Sequence, residues 1–83
     1  MKVLLTNNDT GESKIIEIAD DNISYKYMMH IFVEEFNLDP EQIDIDSYYP
    51  YAWLALDKDT FECIAAMENI KYIPPEELKP ISV

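Results

Sequence analysis

The sequence predicts a single α+β domain, residues 1–83, in which a small, mostly antiparallel sheet opened by an N-terminal β-hairpin packs against one central helix. Three observations lead there. Two short runs rich in apolar and β-branched residues, Lys2 to Thr6 and Lys14 to Ile18, flank the turn-forming Asn7-Asn8-Asp9-Thr10-Gly11-Glu12, which holds the only glycine of the chain. Ile23 to Phe36 repeats its apolar residues at helical spacing. Finally, 83 residues that are 48% hydrophobic and carry one Trp, six Tyr and three Phe suffice for one core, whereas disordered acidic segments are poor in such residues.

Each element has its own signal. Ala19-Asp20-Asp21-Asn22 reads as a helix start, its acids placed favourably for the helix dipole. Ile23, Tyr27 and Ile31 then form one line and Met28, Phe32 and Phe36 a second beside it. Met29 and Val33 widen the stripe, and Asn37 suits the C-terminal end. Asp39 and Pro40 open a turn or two of helix as cap and first residue. Ile43 to Asp46 alternates like an exposed edge strand, and Tyr51 to Leu56 reads as a further strand. Asp59 and Glu62 have capping-box spacing, so Thr60 to Asn69 is expected as a second helix, with a hairpin through Lys58-Asp59 as the competing reading. Lys71 to Ile73 looks like a strand stopped by Pro74-Pro75, and residues 78–83 like a tail or a last edge strand. No repeat and no low-complexity tract is read.

The order strand, strand, helix, strand over residues 2 to 45 resembles the opening of the ubiquitin-like β-grasp. The chain ends Pro80-Ile81-Ser82-Val83, without the paired glycines that conjugation needs, so the resemblance implies a fold and not a modifier role.

Charge restricts the function further. Seventeen Asp and Glu stand against six Lys and no Arg, a formal net charge of −11. Lysines scattered at positions 2, 14, 26, 58, 71 and 79 make no stripe for phosphates, so direct nucleic-acid binding is not expected. Anionic membranes repel such a chain. The first residues turn polar too soon for a signal peptide, and the longest uncharged stretch, Ser47 to Leu56, is too short to span a bilayer. A cytoplasmic protein is expected.

Catalytic chemistry finds little support. His30 is the only histidine and falls on the main helix beside Met29 and Ile31, as a boundary residue. Cys63 is the only cysteine, reads as a small buried hydrophobe, and has no activating neighbour. One glycine does not make a phosphate loop. The acids from Asp39 to Asp46 lack the glycine and glutamate positions of an EF-hand loop. Neither enzymatic activity nor a metal or other cofactor is expected.

What remains is the distribution of acids. Between Tyr27 and Asp57 there is no lysine, while Glu34, Glu35, Asp39, Glu41, Asp44 and Asp46 accumulate. Such a run is ordinarily a solvated face, but a charge of −11 on so short a chain costs stability through self-repulsion. The run also leads into Ser47-Tyr48-Tyr49-Pro50-Tyr51-Ala52-Trp53. Two successive tyrosines of an extended segment point to opposite sides, so at least one reaches the surface, where Tyr and Trp anchor interfaces. The predicted partner-binding residues are therefore Glu34, Glu35, Asp39, Glu41, Asp44, Asp46, Tyr48, Tyr49 and Tyr51. Tyr48-Tyr49-Pro50 flanked by acids resembles the binding helix of colicin-type immunity proteins, a likeness of surface chemistry alone.

These features predict a small acidic inhibitor that occludes the nucleic-acid site of a basic host protein, acting as a nucleic-acid mimic. A nuclease, CRISPR effector, restriction enzyme or polymerase fits as target. Inhibitors of this class are typical of phage and mobile elements with anti-defence roles, which would place the protein in the host cytoplasm. The alternative is a non-enzymatic, β-grasp-like adaptor or assembly module with a non-basic partner. A homodimer paired through the Ile43–Asp46 edge is compatible with both.

Overall fold

The computed structural model describes residues 1–19, 21 and 23–74. Five strands and one helix follow in the order β1 (Lys2–Asn7), β2 (Ser13–Glu17), α1 (Tyr25–Phe36), β3 (Ile43–Tyr48), β4 (Ala52–Asp57) and β5 (Cys63–Asn69), closed by the 3-10 turn Ile70–Tyr72. All strand pairings are antiparallel, in the sheet order β2-β1-β5-β4-β3. The predicted α+β architecture, with its N-terminal hairpin and a single helix against an antiparallel sheet, is the one observed. Its likeness to the β-grasp is one of element order, β-β-α-β, with no parallel pair among the described strands.

The helix lies across one face of the sheet. Met28, Ile31, Phe32 and Phe36 are buried against Val3 and Leu5 of β1, Ile43 of β3, Trp53 and Ala55 of β4, and Ala65 and Met67 of β5. Spacings of three and four residues put the helical set on one stripe, and the period of two puts the strand residues on one face. Trp53 is 2% exposed and among the largest fully buried side chains. Burial of each large apolar side chain contributes roughly 1.5–3 kcal/mol.

Three sequence readings are corrected. The helix begins later than the Ala19–Asn22 cluster suggests. Ser24 is the N-cap, in extended conformation, and its Oγ accepts the Tyr27 N–H at 3.1 Å. The first turn has no acid, and Asn37 closes the last turn in the left-handed region, as its position suggested. Asp39-Pro40 opens a single turn, within the turn or two expected, in which Asp39 Oδ1 accepts the Glu41 N–H. Residues 60–69 are not a helix: the competing hairpin forms, and β5 is inserted between β1 and β4. Lys71 and Tyr72, read as strand, lie in the 3-10 turn capped by Asn69, whose Oδ1 accepts the Lys71 N–H. Residues 78–83 lie outside the described residues.

The hairpin loops explain the β5 error and reveal a local repeat. Asn7-Asn8-Asp9-Thr10-Gly11-Glu12 and Asp57-Lys58-Asp59-Thr60-Phe61-Glu62 share the pattern Asp-Thr-x-Glu and one bonding scheme. Asn7 and Asp57 each pair through their N–H with the carbonyl of Glu12 or Glu62, and each carbonyl accepts from Gly11 or Phe61. The Oδ1 of Asn7 accepts from Asp9 and Thr10, and that of Asp57 from Asp59 and Thr60. Thr10 and Thr60 hydroxyls accept the N–H of Glu12 and Glu62. The Asp59–Glu62 spacing is thus a hairpin-loop signature here rather than a helix cap.

Candidate interaction surface

Strand register sorts the predicted surface residues into two groups. Ile43 pairs with Asp57 and Tyr48 with Ala52, so β3 runs along one edge of the sheet from one end of the molecule to the other. The β1–β2 and β4–β5 loops share the Ile43 end, because Asn7 pairs with Ala65 and the Asn8 N–H bonds the Ile64 carbonyl. The helix C-terminus joins them through Lys14, whose Nζ meets the Glu35 carboxylate at 3.2 Å and the Glu12 carboxylate at 3.3 Å. Lys14 also lies over the Phe36 ring. Its pKa is raised, first by the hydrogen bond to Glu35.

Glu34, Glu35, Asp39 and Glu41 belong to this end, together with Asp9, Glu12, Asp59 and Glu62 of the twin loops. Among the described residues, no ammonium lies within ion-pair distance of Glu34, Asp39, Glu41, Asp44 or Asp46. Asp57 is held below the ordinary carboxylate range, chiefly by the backbone N–H groups of Thr60 and Asp59.

The tyrosines occupy the other end. The turn from Tyr48 to Tyr51 closes through the Tyr51 N–H and the Tyr48 carbonyl, with a cis Tyr49–Pro50 bond, and Asn69 Nδ2 donates to the Pro50 carbonyl. Tyr49 is 66% exposed yet sets its ring edge against the buried Trp53, centroids 6.1 Å apart. Tyr51 meets Tyr72 the same way at 4.8 Å. Beside them a groove of about 410 Å³ is lined by Lys2, Tyr49, Pro50, Lys71 and Tyr72, among others. Tyr48, Tyr49 and Tyr51 are all exposed, while Trp53 alone of that aromatic run enters the core.

Asp44, Asp46 and Tyr48 connect the two ends along β3. The Tyr48 hydroxyl donates to Asp46 Oδ2 at 2.8 Å, and this bond raises the phenol pKa. Asp44 Oδ1 lies 3.5 Å from the Tyr25 hydroxyl. The structure therefore joins Asp46 to Tyr48 and sets Asp44 on the same strand, but it separates Tyr49 and Tyr51 from Glu34, Glu35, Asp39 and Glu41 by the length of the sheet.

Sequence reasoning missed Phe61, Tyr25 and Tyr72, which are exposed large hydrophobics. Phe61 was recoverable from its place in the second Asp-Thr-x-Glu motif, opposite Gly11 in the first. The groups considered for chemistry are placed as follows. His30 is exposed on α1. Cys63 is half-buried, its thiol donates to the Ala65 carbonyl at 3.4 Å, and burial pushes its pKa up. Among the described residues no group of three or more His, Cys, Asp or Glu is placed to hold a metal ion, and no helix is long and apolar enough to cross a membrane.

Fold and surface together define a small two-layer α+β protein with one strongly acidic end and one aromatic end. No family model, curated protein or solved structure matches the chain.

Proposed function

We propose that this protein is a non-enzymatic inhibitor that binds a basic, nucleic-acid-handling protein and occludes its nucleic-acid site, as a mimic of the displaced ligand. The observation that supports the reading is the state of its carboxylates. Lys14 is shared between Glu12 and Glu35, while no ammonium among the described residues pairs with the acids of β3 or of the α1–β3 loop, whose bonding partners are neutral hydroxyl and backbone donors. Carboxylates held apart on a rigid edge, with Tyr48 at its end, resemble in chemistry what a site for phosphates and stacked bases receives. Such a surface gives fast association at low ionic strength that weakens as salt screens it. The expected phage or mobile-element origin and host-cytoplasm location belong to the same proposal.

The experiment is capture on the immobilised protein from lysates of the source cell and its host, washed at low and at high salt. A basic nuclease, polymerase or nucleoprotein retained at low salt, depleted at high salt and displaced by nucleic acid is the expected result. A neutral partner held regardless of salt overturns the reading in favour of the adaptor.

A further inference from the structure

The sheet has a second face, and α1 does not cover it. Register aligns Ile15, Leu4, Glu68, Ala52 and Tyr48 in one row across the strands, and Ser13, Thr6, Ala66, Leu54 and Asp46 in the next. A third row pairs Leu56 with Asp44. Leu4, Ile15, Leu54, Leu56 and Ala66 are absent from the core packed under the helix. None is fully buried, and Ile15 is 57% exposed. An antiparallel sheet with one wet side normally alternates apolar inward and polar outward. Here the middle of the wet side is aliphatic too, and contiguous exposed apolar surface marks an interaction site.

The border of this apolar strip decides what can lie on it. Asp44 and Asp46 edge it along β3 and Glu68 stands within it, while Lys2 pairs in register with Glu17 at the opposite corner. A second copy set face to face would bring Asp44, Asp46 and Glu68 against acids of a chain that also carries −11, a like-charge contact that costs binding energy. A lipid surface of anionic headgroups is repelled likewise. An amphipathic helix whose apolar stripe is bordered by Lys and Arg satisfies both the strip and its border. Helix on sheet is also how the opposite face is already covered.

We infer that the sheet face opposite α1, which no described element covers, is the docking surface, and that its occupant is a basic amphipathic helix of the target, seated on Ile15, Leu4, Ala66, Leu54 and Leu56 with its cations toward Asp44 and Asp46. This rests on the proposed binding of a basic protein and adds which face binds and what shape of segment it takes.

The test uses the isotope-labelled full chain and three synthetic peptides of equal length: one with a leucine stripe bordered by lysines, one with the same residues scrambled, and one with glutamates in place of the lysines. The first is expected to shift the amides of Leu4, Leu54, Leu56 and Ala66 saturably and to leave α1 unmoved. The other two should bind at least roughly tenfold more weakly. Ile15→Ser, a change at a half-exposed position, should weaken the first peptide several-fold with an unaltered unfolding midpoint. Equal binding of the scrambled peptide, shifts confined to α1 or the sheet ends, or a dimer that Ile15→Ser dissolves would overturn the inference. With the captured target in hand, a basic protein bound undiminished by Ile15→Ser defeats the inference alone. A neutral, salt-insensitive target defeats the functional reading and the basic occupant with it.

Discussion

Phe61 and Gly11 hold the same place in two loops with the same hydrogen bonds, and both have positive φ, 64° and 79°. Glycine adopts that region freely, whereas a residue with a Cβ is disfavoured there by about 1–2 kcal/mol. Phe61 is 72% exposed, so packing does little to offset the cost. Phe61→Gly should therefore stabilise the fold by about 0.5–1 kcal/mol. Gly11→Ala, where a new Cβ meets nothing within 4 Å, should destabilise it by about 1 kcal/mol through backbone conformation alone. Urea unfolding of both variants checks the pair, and a destabilised Phe61→Gly would show that the ring has a structural partner.

The same loops predict a difference in acid sensitivity. Asn7 caps its loop with an amide oxygen that does not titrate, while Asp57 uses a carboxylate whose pKa lies below the ordinary 3.8. A depressed pKa in the fold means that the contribution is present above the unfolded value and lost as pH falls through the folded one. Asp57→Asn should keep the neutral-pH unfolding midpoint and flatten its decline between about pH 5 and pH 2. An unchanged decline would assign acid lability to other carboxylates.

Tyr48 should ionise above the usual tyrosine range, because Asp46 accepts its phenolic proton in a hydrogen bond. A raised pKa in the fold means that this stabilisation is present below the unfolded value and lost as pH rises through the folded one. Phenolate absorbance titration should show Tyr48 ionising later than it does in the Asp46→Asn variant, where that hydrogen bond is weakened.

Ser24→Ala removes the acceptor for the Tyr27 N–H and should cost about 1 kcal/mol. Ser24→Asp should restore most of it, since an aspartate caps and also places an acid in a first turn that has none. Thermal unfolding of both variants separates cap from sequence context.

For partner binding, Asp44→Lys with Asp46→Lys should abolish retention of a basic target and leave the circular dichroism spectrum unchanged. Tyr49→Ala should cost on the order of 2 kcal/mol of affinity if the aromatic end takes part in the contact. Titration calorimetry with the captured target reads both, and wild-type affinity in both variants would remove this edge from the interface.

The fold was legible where local chemistry and final environment agree. The first hairpin is bounded by its turn residues, and α1 by an apolar stripe that the core accepts whole. β5 was not legible, for two physical reasons. Ala65, Ala66, Met67 and Glu68 are good helix formers, so intrinsic preference points the wrong way. As a central strand with apolar neighbours on both faces, β5 also lacks the clean alternation that identifies a half-buried strand. The corrective signal was the repeated Asp-Thr-x-Glu, whose first copy lies in the N-terminal hairpin.

The candidate surface was half legible. That the tyrosines reach solvent follows from their succession before a proline, and the acids from Asp44 to Asp46 follow from alternation on an edge strand. Their distribution over two ends of a sheet does not follow, since proximity in sequence between Glu41 and Tyr48 says nothing once β3 carries them apart. The aliphatic wet face was invisible for the same reason as β5: it exists only after Leu4, Leu54 and Ala66 are brought side by side by strands far apart in the chain.

The strand synthesised last among the five stands in the middle of the sheet, and this governs how the protein is made. Until residues 63–69 have arrived, β1–β2 and β3–β4 are two separate ribbons with no shared backbone ladder, and two-stranded ribbons alone are marginal in water. Closing the sheet requires β5 to find β1 across nearly the whole chain, a contact order that slows folding. Assembly is therefore one late keystone step, and a nascent chain stalled short of Asn69 exposes its aliphatic strands to whatever lies nearby.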